Sequence, residues 1–166
     1  MKTMTRMFRF AITAALVAVS GQTASAQNNQ RGQPKTPIAP ADFAKLKWMA
    51  GAWKGTAPDE TALFERIRFT NDSTIDITYF ADSLTGRQTG AAKVNLSVGR
   101  VYLTLGPGRW GATRVDEGGA YFVPQVNAHN TYSWVYQSND AWTATMRTGM
   151  GGIDRSTTFK MQRVAP

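Results

Sequence analysis

The chain contains no cysteine and only one histidine, and these two scarcities exclude several kinds of site. Without thiols it has no disulfide framework, thiolate metal centre, redox motif or cysteine nucleophile. A single histidine without cysteine also argues against a zinc site, because such sites draw on several of these ligands. A folded domain of this composition has to be stabilised by its hydrophobic core, without disulfides.

The patterns of common catalytic and nucleotide-binding sites are missing as well. No Gly-x-Ser-x-Gly occurs. The glycine-rich segments 106–108 and 149–152 precede strand-like stretches, so they are predicted to be loops rather than phosphate cradles. Basic residues are scattered, and no run is longer than an alternate pair such as Arg66 and Arg68. We therefore expect no nucleic-acid partner, since that requires a clustered basic stripe.

The one long apolar run lies at the N-terminus and predicts targeting. Three basic residues precede the apolar stretch 10–19, and the small residues 23–26 follow it. This pattern predicts a signal peptide over 1–26, cut after Ala26, and a periplasmic or secreted protein. The run is shorter than the roughly 20 residues of a membrane span, so no span is expected. Removing the three leader bases leaves 16 basic against 11 acidic residues, a net charge of +5.

The next segment, 27–40, predicts a disordered linker. It is rich in Gln, Asn and Pro, and Ile38 is its only large apolar residue. Such a composition cannot bury enough surface to offset the entropy of ordering. The folded domain is expected over 41–166, a length that suits one hydrophobic core.

A short helix is predicted at the start of this domain. Asp42 lies in its first turn, where an acidic side chain favours the positive end of the helix dipole. Phe43 and Leu46 follow at helical spacing. Gly51 can end the helix, because glycine adopts backbone conformations that other residues avoid.

From residue 52 onward, apolar and polar residues alternate in about ten short segments separated by turns. Ile67 and Phe69 share one face of their segment with Glu65, for example. Short turns favour antiparallel pairing of successive strands, and closure leaves no exposed strand edge. A barrel therefore fits the pattern better than a β-sandwich, which stays the alternative. The predicted fold is all-β: a single antiparallel up-and-down β-barrel of about ten strands with one short N-terminal helix.

The segment LKWMAGAWKG at 46–55 places Gly51-Ala52-Trp53 between the helix and the first strand. This arrangement resembles the calycin group of lipocalins, fatty-acid-binding proteins and nitrobindin-like barrels. It is also similar to the opening of small exported bacterial lipocalin-like domains of unknown function. Residues 127–130 (NAHN) resemble a degenerate form of the Asn-Pro-x-His-type segment that such domains carry before a late strand. The resemblance implies a lipocalin-like β-barrel domain.

In the group that the chain resembles, this tryptophan closes the barrel floor and stacks under an arginine from the last strand. The resemblance therefore implies a structural floor made by Gly51, Trp53 and Arg163, with Arg155 as the second choice of arginine. Such a cation–π contact is worth about 0.5–2 kcal/mol.

Aromatic residues in the strand-like segments are the main candidates for a ligand-binding wall. Tyr132, Trp134 and Tyr136 share one face by alternation, Trp142 lies in the next segment, and Tyr79 ends an earlier one. Aromatic walls with a few polar anchors are typical of small-molecule pockets. The same side chains can equally fill the barrel or form an outer girdle. The sequence does not decide whether these aromatic side chains line a cavity or fill the barrel.

Glu65 is the candidate polar anchor, because it shares the face of apolar residues that is predicted to point inward. A buried carboxylate needs a partner, and Arg109 or Arg114 is the expected one.

His129 lies in the turn-like segment before the aromatic strand. It is kept among the ligand-binding candidates, either as a haem ligand or as a general base at the barrel mouth. The simpler interpretation, a turn histidine with local hydrogen bonds, is favoured because nitrobindin-like barrels place their ligand histidine close to the C-terminal strand. No metal or cofactor is expected, with haem as the alternative.

Together these features predict an exported protein that binds a small, largely apolar ligand inside the barrel, as a monomer or weak dimer. One alternative is a barrel enzyme of isomerase or cyclase type that uses an inward carboxylate or His129. Another is an envelope interaction module with a packed core. A perturbed carboxylate inside a cavity would favour the enzyme, and the absence of a cavity would favour the packed module. Binding without catalysis is the favoured function, and no catalytic residue is assigned.

Overall fold

The computed structural model describes residues 36–150 and 153–164. Helix α1 spans Pro40–Ala44 and continues into a 3-10 helix, Lys45–Met49. The strands are β1 Gly51–Thr56, β2 Ala62–Asn71, β3 Thr74–Phe80, β4 Gln88–Ser97, β5 Arg100–Leu105, β6 Gly108–Asp116, β7 Gly119–Val126, β8 Asn130–Ser138, β9 Ala141–Met150 and β10 Ile153–Arg163. The predicted signal peptide, 1–26, lies outside the described residues.

The ten strands form one closed antiparallel barrel in which each strand pairs with its neighbours in the chain. Closure occurs between β1 and β10, where Trp53 lies opposite Arg163. The predicted all-β up-and-down barrel with one short N-terminal helix is confirmed. Such a closed sheet has no unpaired edge strand.

Alternation along the strands sorts side chains between the barrel interior and solvent, because successive side chains of a strand point to opposite faces. On β3, Ile75 and Ile77 are buried, whereas Asp76 between them makes an exposed ion pair with Lys93. Across the barrel, Phe122 is fully buried. The hydrophobic core is therefore the inside of the barrel.

The N-terminal helices close one end of the barrel, which we call the floor. Phe43, Leu46 and Met49 are fully buried against the core. The turns β2–β3, β4–β5, β6–β7 and β8–β9 lie at this end, because an up-and-down chain reverses direction at alternate ends. We call the opposite end the mouth. No helix in the described part of the chain has the length and apolar character needed to cross a bilayer.

The folded domain begins earlier than the predicted boundary at residue 41. Ile38 is only 7% exposed, and its backbone N–H donates to the Gly99 carbonyl at 2.8 Å. The single large apolar residue of the predicted linker thus anchors the segment from residue 36 onward to the β4–β5 turn. The composition of the segment predicted disorder up to residue 40. One buried isoleucine and one backbone hydrogen bond nevertheless hold the end of this segment against the barrel. The rest of the predicted linker, 27–35, lies outside the described residues.

Gly119 at the start of β7 is predicted to be irreplaceable. Its φ is +132°, and a Cβ at this position would overlap the Trp134 backbone carbonyl on β8. Gly119→Ala should therefore lower the free energy of unfolding by about 3 kcal/mol or more, measured by urea denaturation. Gly149→Ala is the matched control, because nothing lies within 4 Å of its added Cβ. Equal losses in both variants would contradict the prediction.

Candidate functional site

The floor is built around Trp53 and Arg163. The guanidinium carbon of Arg163 lies 4.3 Å from the centroid of the Trp53 ring, which is a cation–π arrangement. The same guanidinium donates hydrogen bonds to the carbonyls of Trp48, Ala50 and Asn139. Arg163 therefore ties the helical segment, the β8–β9 turn and the tryptophan together. The second-choice arginine, Arg155, is exposed.

Gly51 belongs to the same cluster for a steric reason. Its φ is +141°, and a Cβ there would overlap the Arg163 guanidinium. A glycine at this position lets the arginine reach the Ala50 carbonyl, at 2.9 Å. The three residues assigned to the floor from the sequence lie side by side.

An aromatic stack rises from the floor towards the interior. Trp142 is 1% exposed and packs edge-to-face on Trp53, with ring centroids 5.9 Å apart. Trp48 contacts Trp142 on one side and Tyr136 on the other, at 5.8 and 5.3 Å. Next to the floor, these aromatic side chains therefore fill the inside of the barrel.

Above the stack the barrel is hollow. The cavity has a volume of about 420 Å³, within the usual range for small-molecule sites. Its described walls come from β2 to β5 and from β8 to β10: Leu63, Glu65, Ile77, Tyr79, Thr89, Gly90, Leu103, Leu105, Tyr132, Trp134, Trp142, Ala144, Thr145, Met146 and Phe159. The lining is mostly aliphatic and aromatic, and Glu65 carries the one carboxyl group among the described residues that form it.

Glu65 is a buried carboxyl group, one oxygen of which lacks a hydrogen-bond partner among the described residues. Its side chain is 4% exposed, and its Oε1 atom has no hydrogen-bond partner among the described residues. Burial penalises the charged form and raises the pKa of Glu65 to about 8. The carboxyl is therefore mostly protonated at neutral pH.

The expected arginine partners of Glu65 are elsewhere. Arg109 lies over the Tyr102 ring on the outer face, 5.2 Å from its centroid, and Arg114 pairs with Asp116. Both arginines are exposed. That prediction is wrong, because alternation and a register shift in β6 turn both arginines outward.

Tyr79 is the nearest polar neighbour of Glu65 in the sheet, because the two residues lie directly opposite each other on β3 and β2. Burial, the Glu65 carboxylate and then Tyr132 all raise the pKa of Tyr79, so its hydroxyl keeps its proton. The pair presents two protonated oxygens to an apolar space.

Five of the seven predicted ligand-binding residues line the cavity: Glu65, Tyr79, Tyr132, Trp134 and Trp142. Tyr136 does not, since it packs on Trp48 at the floor and its hydroxyl contacts the Asn139 amide oxygen at 3.2 Å. His129 lies in the exposed β7–β8 loop at the mouth and is not part of the wall. The geometry therefore does not support its role as an interior haem ligand.

Sequence reasoning missed most of the aliphatic wall, including Leu103, Leu105 and Met146. Their alternation was visible in the sequence, but alternation does not say how far along the barrel each residue lies. Among the described residues, no group of three or more His, Cys, Asp or Glu side chains is placed to hold a metal ion.

Comparison with protein-family models gave no match to this chain. Comparison with curated protein sequences also gave none.

Proposed function

We propose that this protein binds a small, largely apolar molecule inside the barrel, in the manner of lipocalin-like proteins. One observation carries the proposal: a cavity of about 420 Å³, walled mostly by apolar side chains, in which Glu65 is the one carboxyl group that the described residues contribute. Burial of about 300 Å² of apolar ligand surface would contribute about 7 kcal/mol before the entropic costs of binding. The cavity also argues against the packed interaction module.

Native mass spectrometry of the purified protein tests this function. A discrete additional mass that is released by solvent extraction is expected, and the chemistry of the extract identifies the ligand class. A clean mass of the protein alone, with no uptake of the uncharged fluorescent probe N-phenyl-1-naphthylamine, would overturn the proposal.

Filling the cavity is expected to abolish binding. Ala144 lines the wall on β9, and its neighbour Thr143 faces the other side of the strand. Ala144→Phe should weaken uptake of N-phenyl-1-naphthylamine at least about tenfold, because the new ring occupies the ligand volume. Thr143→Phe adds the same ring outside the barrel and should leave the affinity within about twofold. Equal affinities of the two variants, measured by fluorescence titration, would place the binding site outside the barrel.

A second candidate function is acid–base catalysis on the bound molecule. It is favoured by Glu65, whose pKa of about 8 lies close to neutral pH inside the cavity, as general acids and bases require. Incubating the extracted ligand with wild type and with Glu65→Gln distinguishes the two functions. Conversion by wild type alone supports catalysis, and an unchanged ligand in both supports binding.

We also propose that the protein is exported. The basic, apolar and small-residue segments of 1–26 support this proposal. N-terminal sequencing of protein recovered from the cell envelope or medium is expected to begin at Gln27. A chain that retains the N-terminal apolar segment in the cytoplasm would contradict it.

A further inference from the structure

Two buried, unpartnered polar atoms belong to side chains that line the cavity. Neither the Oε1 atom of Glu65 nor the Nε1 atom of Trp142 has a hydrogen-bond partner in the described part of the chain. Both residues line the cavity and both adjoin Trp53: Glu65 lies opposite it in the sheet, and Trp142 stacks on its ring. Buried polar atoms are normally satisfied, so two such atoms on side chains that line one cavity are candidates for contact with a ligand.

The charge of the wall restricts what that ligand can be. No lysine, arginine or histidine is among the described residues that line the cavity. A buried carboxyl without a cation stays neutral, since an isolated buried charge is far more costly than a proton. A neutral carboxyl offers one O–H donor, and an indole offers only its N–H. Together with the Tyr79 hydroxyl, these side chains therefore provide hydrogen-bond donors in the described wall of the cavity.

We propose that the cavity selects uncharged apolar molecules with a carbonyl oxygen, which accepts hydrogen bonds from the Glu65 carboxyl and the Trp142 indole. The inference rests on the binding function proposed above and names its ligand class. A carbonyl oxygen has two lone pairs and can accept both bonds at once. A carboxylate ligand would find no cation in the wall, and an ammonium ligand would require Glu65 to ionise in an apolar space.

The test uses four probes of similar shape that differ at one group: 4-phenyl-2-butanone, n-butylbenzene, 3-phenylpropanoate and 4-phenyl-2-butanamine. Each competes with N-phenyl-1-naphthylamine for the full-length mature protein at pH 7. The ketone should bind more tightly than the acid and the amine. Tighter binding of either charged probe would overturn the proposal.

Variants at Glu65 separate the hydrogen bond from the shape of the cavity. Glu65→Leu removes the donor and should weaken ketone binding by about three- to tenfold relative to n-butylbenzene, the value of one net hydrogen bond. Glu65→Gln keeps an N–H donor and should retain most of the ketone preference. Glu117→Gln, a control at an exposed turn on the floor side, should change nothing.

The pH dependence gives an independent measurement that needs no variant. Ketone affinity should fall above about pH 8, because burial gives the Glu65 carboxyl a pKa of about 8 and its ionisation removes the donor. The other titratable groups that face it in the described wall are Tyr79 on β3 and Tyr132 on β8, and its β1 neighbour is Trp53. Tyr79 holds its proton throughout this range because its pKa is raised. In Glu65→Gln the affinity should be flat with pH.

These experiments distinguish a failure of the carbonyl preference from a failure of the proposed binding function. Binding of n-butylbenzene with no Glu65-dependent preference for the ketone would overturn this inference and leave the binding function standing. Failure of all four probes and of N-phenyl-1-naphthylamine would overturn both.

Discussion

Trp53→Ala is expected to lower the free energy of unfolding by about 3–5 kcal/mol, the usual range for a large aromatic removed from a core. Trp53 has no exposed surface, and its indole N–H donates to the Met49 carbonyl at 2.7 Å. The change would also leave the Arg163 guanidinium without its ring and Trp142 without its neighbour. Urea denaturation of the purified variants measures the loss.

Tyr121→Ala provides the control for this experiment, because Tyr121 lies on the outer face and is 37% exposed. Its loss should stay below about 1 kcal/mol, as for most surface substitutions. A loss of similar size for Trp53→Ala would show that the floor does not stabilise the barrel.

The second large effect is a fall in stability with rising pH, caused by Glu65. Its pKa is raised from the ordinary value of 4.5 to about 8 in the folded protein. Between these values the folded state binds more protons than the unfolded state. The carboxyl's contribution to stability is therefore complete below about pH 4.5 and is lost as the pH rises through 8. The expected loss between pH 5 and 9 is on the order of 4 kcal/mol.

Glu65→Gln should remove this pH dependence, because an amide does not titrate. Urea denaturation at pH 5, 7 and 9 measures the effect, and Glu117→Gln should keep the wild-type curve because its carboxyl is exposed. The pKa of Asp42 is lowered by the neighbouring Lys45, so its titration falls below this window. A wild-type curve that is flat from pH 5 to 9 would mean that Glu65 is solvated or paired.

The sequence predicted the elements and which side chains of a strand share a face, because alternation is a local property of a strand. It placed Glu65 on the inward face with Ile67, both of which are buried. It did not predict that Glu65 would lack an ionic partner. Whether Arg109 or Arg114 reaches the interior depends on the register of β6 against β7, where two irregularities shift the pairing. Register depends on contacts between segments distant in the chain.

The aromatic residues of β8 show the same limit of prediction from sequence. Tyr132, Trp134 and Tyr136 alternate on one strand, and the sequence left lining and filling open for all three. In the barrel, Tyr132 and Trp134 border the cavity, whereas Tyr136 packs against Trp48 at the floor. Their distance from the floor decides between the two roles, and alternation carries no information about that distance.

The sequence by itself predicted about ten antiparallel strands and a tryptophan at the start of the first, because the alternation, the turns and the Gly51-Ala52-Trp53 segment are local features of the chain. The structure shows that these strands close into a ten-stranded barrel. Only the tertiary structure decided that the interior is filled near the floor and hollow above it. A cavity is the space left when side chains from many strands have packed, so its volume depends on all of them at once. For the same reason, only the closed barrel buries the Glu65 carboxyl in a wall whose described residues include no lysine, arginine or histidine.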